Sequence, residues 1–177
     1  MRRLLAGVRV LDLSQYVPGP LATQILADLG AEVVKVEPPD GDPMRRLGPV
    51  DADGLTPWYK LVNAGKTVVR LDLKAEDGRR GFAGLLARAD VMLESYRPGT
   101  LDRLGFPIAR LRQDRPGLVV ASLSGWGQEG PYRLRAGHDV NYMAVGGGLA
   151  GSGPAGAPAI AFPPVADHAA AVQAACA

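Results

Sequence analysis

Imidazole takes up and releases protons near neutral pH because its ordinary pKa lies near ~6.5. The 177-residue chain holds two such groups, His138 and His168. His138 stands in the run Gly137-His138-Asp139-Val140-Asn141-Tyr142, and His168 directly follows Asp167. A carboxylate titrates near ~3.9 in water, so Asp167 becomes a competent acid or base near neutrality only when desolvated. Ala166 and the alanines after His168 offer the apolar surroundings that would do this. Plainer roles exist for both residues: a histidine packing or capping at a helix start, and an aspartate serving as a helix N-cap. Capping and chemistry are compatible, because a carboxylate there also sits at the positive end of the helix dipole. On a helix the His168 side chain points about a quarter-turn away from that of Asp167, so it is set aside.

These groups must be held by a scaffold, and the hydrophobic pattern predicts one. Val8–Leu13 reads as a strand, followed by turn residues Ser14 to Pro20. Leu21, Ile25, Leu26 and Leu29 then share a helical face, with Gly30 as the stop. Glu32–Glu37 is a second strand, giving a βαβ unit with a parallel pair. A strand over Val68–Leu73 follows, then a helix over Asp77–Ala89 with Phe82, Leu85 and Leu86 inward. Val91–Glu94 is a strand, a short helical stretch begins at Leu101, and Leu118–Leu123 is a fifth strand. Alternation at these lengths predicts one doubly wound α/β domain over residues 1–177, with a mainly parallel Rossmann-like sheet flanked by helices.

The first turn invites a nicotinamide reading, in which Glu37 at the end of the second strand would hold the ribose. The turn is Ser-Gln-Tyr-Val-Pro-Gly-Pro, without G-x-G-x-x-G, and Pro18 and Pro20 lack the N–H groups a pyrophosphate would need. That reading is rejected. A net charge of +2 is too small to argue for nucleic acid. Cys176 is the sole cysteine, which admits no internal disulfide and fits a reducing, cytoplasmic setting. The start, Met1 to Leu5, has the flavour of a signal peptide, but Arg9 and Asp12 interrupt the apolar run. The uncharged stretch Val140–Ala166 is broken by Gly146-Gly147-Gly148 and four prolines, so it reads as a helix and a loop rather than a membrane span. From Asp167 to Ala177 the residues form a helix apolar nearly all round. Such a helix needs burial on every side, which predicts a truncated chain or association with a missing C-terminal segment.

Several segments together resemble the class III CoA-transferase (CaiB/BaiF) superfamily. They are Val10-Leu11-Asp12-Leu13 with Pro18-Gly19-Pro20, Leu29 to Glu37, Asn63-Ala64-Gly65-Lys66, Leu71 to Lys74, Ala89 to Gly99, and Leu101 to Gly105. They span essentially the whole chain in the family's order. The Gly-His-Asp-x-Asn-Tyr run resembles the α-methylacyl-CoA racemase branch, and family members are considerably longer and dimeric.

The resemblance implies an acyl-CoA thioester as substrate, coenzyme A as part of that substrate with no tightly bound cofactor or metal, and a homodimer. In the racemase reading His138 and Asp167 remove and return the proton beside the thioester. In the transferase alternative Asp167 is the nucleophile, and a third possibility is an inactive CoA-binding fragment. The family's CoA contacts map to Leu71, Asp72, Leu73, Lys74, Ser95, Tyr96, Arg97, Arg103, Gly137, Asp139, Asn141 and Tyr142. Asp139 and Tyr142 read as positioning residues, and backbone N–H groups near Asp167 as donors to a developing enolate. Pro38 and Ala169 to Ala171 depart from the family's usual arginine and glycines.

Overall fold

The computed structural model describes residues 3–177; Met1 and Arg2, the start of the segment weighed as a signal peptide, lie outside the described residues. Five strands, β1 (Arg9–Leu13), β2 (Glu32–Glu37), β3 (Thr67–Arg70), β4 (Val91–Glu94) and β5 (Val119–Ser122), pair in parallel in the order β3-β2-β1-β4-β5. The helices are α1 (Pro18–Asp28), α2 (Pro57–Asn63), α3 (Glu76–Leu86), α4 (Thr100–Arg103), α5 (Ile108–Asp114), α6 (Asp139–Val145) and α7 (Val165–Cys176). The predicted doubly wound α/β sheet is therefore the observed one. On one side of the sheet Leu11, Leu13, Phe82, Leu86, Met92 and Leu101 form the main core, with Phe106 edge-on to Phe82 at 4.6 Å.

α1 stops where the sequence indicates. Gly30 adopts φ 103°, its N–H donates to Ala27 O, and the Ala31 N–H donates to Leu26 O. This pair of bonds closes the last turn and needs a residue that tolerates positive φ. The buried face of α1 differs from the expected one: Ala22, Thr23 and Gln24 are buried, while Leu21, Ile25, Leu26 and Leu29 are partly covered. The cause is a second layer. α7 lies along α1, with Ala22, Leu93 and Ala171 at the contact, so small residues set the interior face where two helices approach closely.

Three further differences have local causes. α2 and α5 are 7 residues each, too short for a helical period to show, and α2 is set by Thr56, whose Oγ1 accepts from the Tyr59 N–H. α3 ends at Leu86, three residues short of the expected Ala89. The third strand ends at Arg70, so Leu71, Asp72, Leu73 and Lys74 form the turn after it. That turn is pressed against α3 at Gly78, where a Cβ would overlap the Asp72 carbonyl. Gly78→Ala is therefore expected to lower stability by roughly 1–3 kcal/mol, against the ~1 kcal/mol gain that Gly→Ala gives in an open helix. Urea denaturation checks the sign.

The polar interior lies at the carboxyl ends of β1 and β2. Asp12, fully buried, accepts from Thr23 Oγ1 at 2.6 Å, from Ser14 Oγ, and from Lys66 Nζ at 3.1 Å. Lys66 also reaches Pro20 O, Thr23 Oγ1 and Asn63 Oδ1. Lys35, equally buried, pairs with Asp42 at 3.0 Å and donates to Ser14 O at 2.7 Å. Glu37 accepts from Arg45 Nε at 2.7 Å and from the Tyr59 hydroxyl at 2.7 Å. Its oxygens are thus committed inside the protein, which excludes the ribose role. α7 is not buried on every side as its composition predicts. Ala171 is buried against α1, while Val165 and Val172 are about half exposed, at 45% and 52%.

Candidate active site

In an open parallel sheet, ligands bind beyond the carboxyl ends of the strands, where the strand order reverses. Here β1 feeds β2 and β3 on one side, and the chain then returns to place β4 on the other side of β1. A cavity of ≈ 410 Å³ opens at that point. It is lined by Gln15 and Tyr16 after β1, Ser95-Tyr96-Arg97 after β4, Leu123 to Trp126 after β5, and Gly137, His138, Tyr142 and Asp167 from α6 and α7. Among the described residues no three His, Cys, Asp or Glu side chains gather as a metal-holding group.

The floor is built from β4. Glu94, buried, accepts from the Tyr96 N–H at 2.7 Å and fixes the turn that follows. Burial outweighs its hydrogen bonds and raises its pKa. Ser95 Oγ accepts from the Gln15 N–H at 3.0 Å, tying the loops after β1 and β4 together. Burial, with the Glu94 and Asp12 charges, pushes the Tyr96 phenol up to about 12. Arg97 is exposed at the rim and makes no ion pair with any described residue.

The opposite wall is built from the entries to α6 and α7. His138 is the residue before α6, in extended backbone, and its N–H donates to Asn141 Oδ1 at 2.9 Å. Tyr16, a non-glycine residue at φ 63°, places its ring edge-on to the His138 imidazole, 5.7 Å between centroids. Such a conformation costs energy and clusters at functional sites. Asp167 is the third residue of α7 rather than its N-cap, which is Pro164. Its N–H donates to Asp139 Oδ1 at 3.1 Å. Burial raises the Asp167 pKa, Asp139 adds to that, and His138 and His168 pull the other way. His168 turns aside, with Nδ1 2.6 Å from Pro164 O and its ring near Trp58.

Of the residues singled out in the sequence, the cavity brings together Ser95, Tyr96, Arg97, Gly137, Tyr142, His138 and Asp167. Asp139 and Asn141 stand behind it, holding the Asp167 and His138 backbones. The turn of Leu71, Asp72, Leu73 and Lys74 lies beyond β3, at the sheet edge away from β5, and does not line the cavity. Leu73 is buried in the main core, and the Lys74 N–H donates to Asp72 Oδ1. Arg103 is likewise outside, exposed on α4 with its guanidinium on Thr100 Oγ1. Of the backbone N–H groups near Asp167 expected as donors, that of Asp167 itself is engaged by Asp139. Sequence reading missed Tyr16, whose strained backbone leaves no mark in composition. It also missed Arg133 and Arg135, whose place on the cavity follows from the loop's path alone.

The model of CoA-transferase family III matches residues 5–177 of the chain. A succinyl-CoA–D-citramalate CoA-transferase of Chloroflexus aurantiacus is 42% identical over 82% of the chain and 36% of its own length. A formyl-CoA:oxalate CoA-transferase of Streptomyces coelicolor is 40% identical over 85% of the chain and 37% of its own length. Among solved structures, a CaiB/BaiF family protein of Brucella suis superposes with a TM-score of 0.91 at 33% identity, over 99% of this chain and 48% of that one. A Mycobacterium tuberculosis protein superposes with a TM-score of 0.87 at 39% identity, over 97% and 48%. The chain thus spans little more than a third of these curated relatives and about half of the solved ones.

Proposed function

The chain belongs to CoA-transferase family III, and from that premise we propose that it is the CoA-binding, carboxylate-bearing part of an acyl-CoA transferase with Asp167 as nucleophile. The observation that carries this reading is a half-buried carboxylate of raised pKa, pinned through its own N–H, in a cavity at the sheet's switch point. Relatives at 40–42% identity named as CoA-transferases support it over the racemase expected from the Gly-His-Asp-x-Asn-Tyr run.

The ionised Asp167 attacks the thioester carbonyl, forming a mixed anhydride and releasing CoA thiolate. The thiolate attacks the aspartyl carbonyl, giving an aspartyl-CoA thioester and the free donor acid. An acceptor carboxylate then reverses the two steps, leaving a new acyl-CoA and a regenerated Asp167. Ser95, Tyr96, Arg97, Gly137 and Tyr142 line the CoA path in this reading, and the guanidinium of Arg97 faces its phosphates. Leu71 to Lys74 and Arg103 serve only a ligand that extends beyond the cavity.

One observation favours the racemase as a second reading: His138 shares the cavity with Asp167, as a two-base proton transfer requires. The His138→Ala variant separates the two. A transferase keeps CoA exchange within about tenfold, whereas a racemase loses α-deuterium incorporation by roughly 10²–10⁴-fold. Trapping of an aspartyl-CoA thioester at Asp167 with hydroxylamine supports the transferase, and its absence during turnover overturns it.

A further inference from the structure

Both readings build negative charge on the thioester carbonyl oxygen, as an enolate or as a tetrahedral oxyanion, and that oxygen needs a donor in place before the charge arrives. The N–H of Asp167 is taken by Asp139. We propose that the Tyr142 hydroxyl is the donor to this oxygen, making Tyr142 a catalytic residue rather than a positioning one; the assignment rests on the acyl-CoA reading of the cavity.

Four observations support it. Tyr142 lines the cavity with His138 and Asp167, and no described residue hydrogen-bonds its hydroxyl. His138 is the residue that precedes α6 and Tyr142 is the fourth residue of that helix, and both line the cavity. The Tyr142 ring is fixed in place: the Trp126 indole meets it edge-on at 5.0 Å. A Cβ on Gly137 would come within 2.7 Å of the ring, and one on Gly125 would overlap the hydroxyl itself. The two glycines thus leave the space that the phenol fills. Burial and the nearby Asp167 charge raise its pKa, so it stays protonated and able to donate. Gln15 and Arg97 also face the cavity, from the β1 and β4 loops. Tyr16 does so with its ring edge-on to His138, so Tyr142→Phe is compared with Tyr16→Phe, and a larger shift from Tyr16→Phe overturns the assignment.

Acetoacetyl-CoA tests this without a transfer partner, because it loses the proton between its two carbonyls to form an enolate visible in the near ultraviolet. Bound to the full chain, its enolisation midpoint should fall below that of the free thioester. Tyr142→Phe should move the midpoint back up by roughly 2 pH units, the equivalent of the ~10²-fold that one such donor contributes. Calorimetry with CoA on the unsubstituted chain establishes that the cavity binds the ligand. Incorporation of 3-fluorotyrosine at position 142, a stronger acid of nearly the same shape, should lower the midpoint and guards against misfolding of the phenylalanine variant. A midpoint unmoved in either variant at position 142 overturns the proposal and leaves the acyl-CoA reading standing. A chain that binds neither CoA nor acetoacetyl-CoA overturns both.

Discussion

Replacing Asp167 with asparagine is expected to abolish CoA transfer, by roughly 10³-fold or more, while leaving the fold intact and slightly more stable. The amide keeps the size of the carboxyl but is no nucleophile and cannot hold the negative charge that the first step consumes. The stability gain follows from the raised pKa. The folded state holds protonated Asp167 more readily than the unfolded chain does. The group's contribution to stability is therefore present in acid and is lost as pH rises through the folded pKa. At neutral pH the ionised group burdens the fold, and asparagine removes that burden. The same shift sets the acid limb of the wild-type rate profile: activity falls at a higher pH than an ordinary carboxylate near ~3.9 would give. Transfer assays across the acid range, with thermal melts of both proteins, check the three statements. A fully active Asp167→Asn enzyme would end the nucleophile reading.

Replacing Lys66 with methionine is expected to cost about 3–5 kcal/mol, much of the ~5–15 kcal/mol that holds a typical domain folded. The side chains of Lys66 and Asp12 are both fully buried, and burial pushes the Lys66 ammonium down to about 8 against the pull of Asp12. The pair as a whole therefore adds little. Its removal from one side is what destabilises, because Asp12 would keep Lys35 and its hydroxyl donors but lose its direct cationic partner. Asp12→Asn in the Lys66→Met background should restore part of the loss, and urea denaturation of the four proteins gives the coupling. Lys60→Ala is the contrasting case. Lys60 pairs with Asp51 and Asp53 at the surface, where water and salt screen the pair, and its loss should cost far less than that of Lys66. Equal losses from Lys60 and Lys66 would contradict the buried-pair argument.

The Asn63-Ala64-Gly65-Lys66 segment shows how a signal can be legible while its meaning is not. It marks the family in the sequence, yet nothing local shows that Lys66 reaches across to Asp12, 54 positions earlier. The alternation of strands and helices was legible because burial on both faces of a parallel sheet forces runs such as Val33-Val34 and Met92-Leu93. β1, β2 and β4 needed little more than that pattern. α2 and α5 escaped it because they are short and owe their shape to a threonine cap or to packing.

For the site, residue type determined that a histidine and a desolvated aspartate could handle protons and that the chain carries no dinucleotide fingerprint, and the family resemblance singled out His138 and Asp167. Tertiary structure decided the rest. It put both groups on one cavity, moved Leu71 to Lys74 away from it, and tied the Asp167 N–H to Asp139. It also left the Tyr142 hydroxyl free beside them. The division has one physical cause. Secondary structure follows from neighbours along the chain, whereas a site is set by loops from β1, β4 and β5 and the starts of α6 and α7, whose meeting depends on the order in which strands pair.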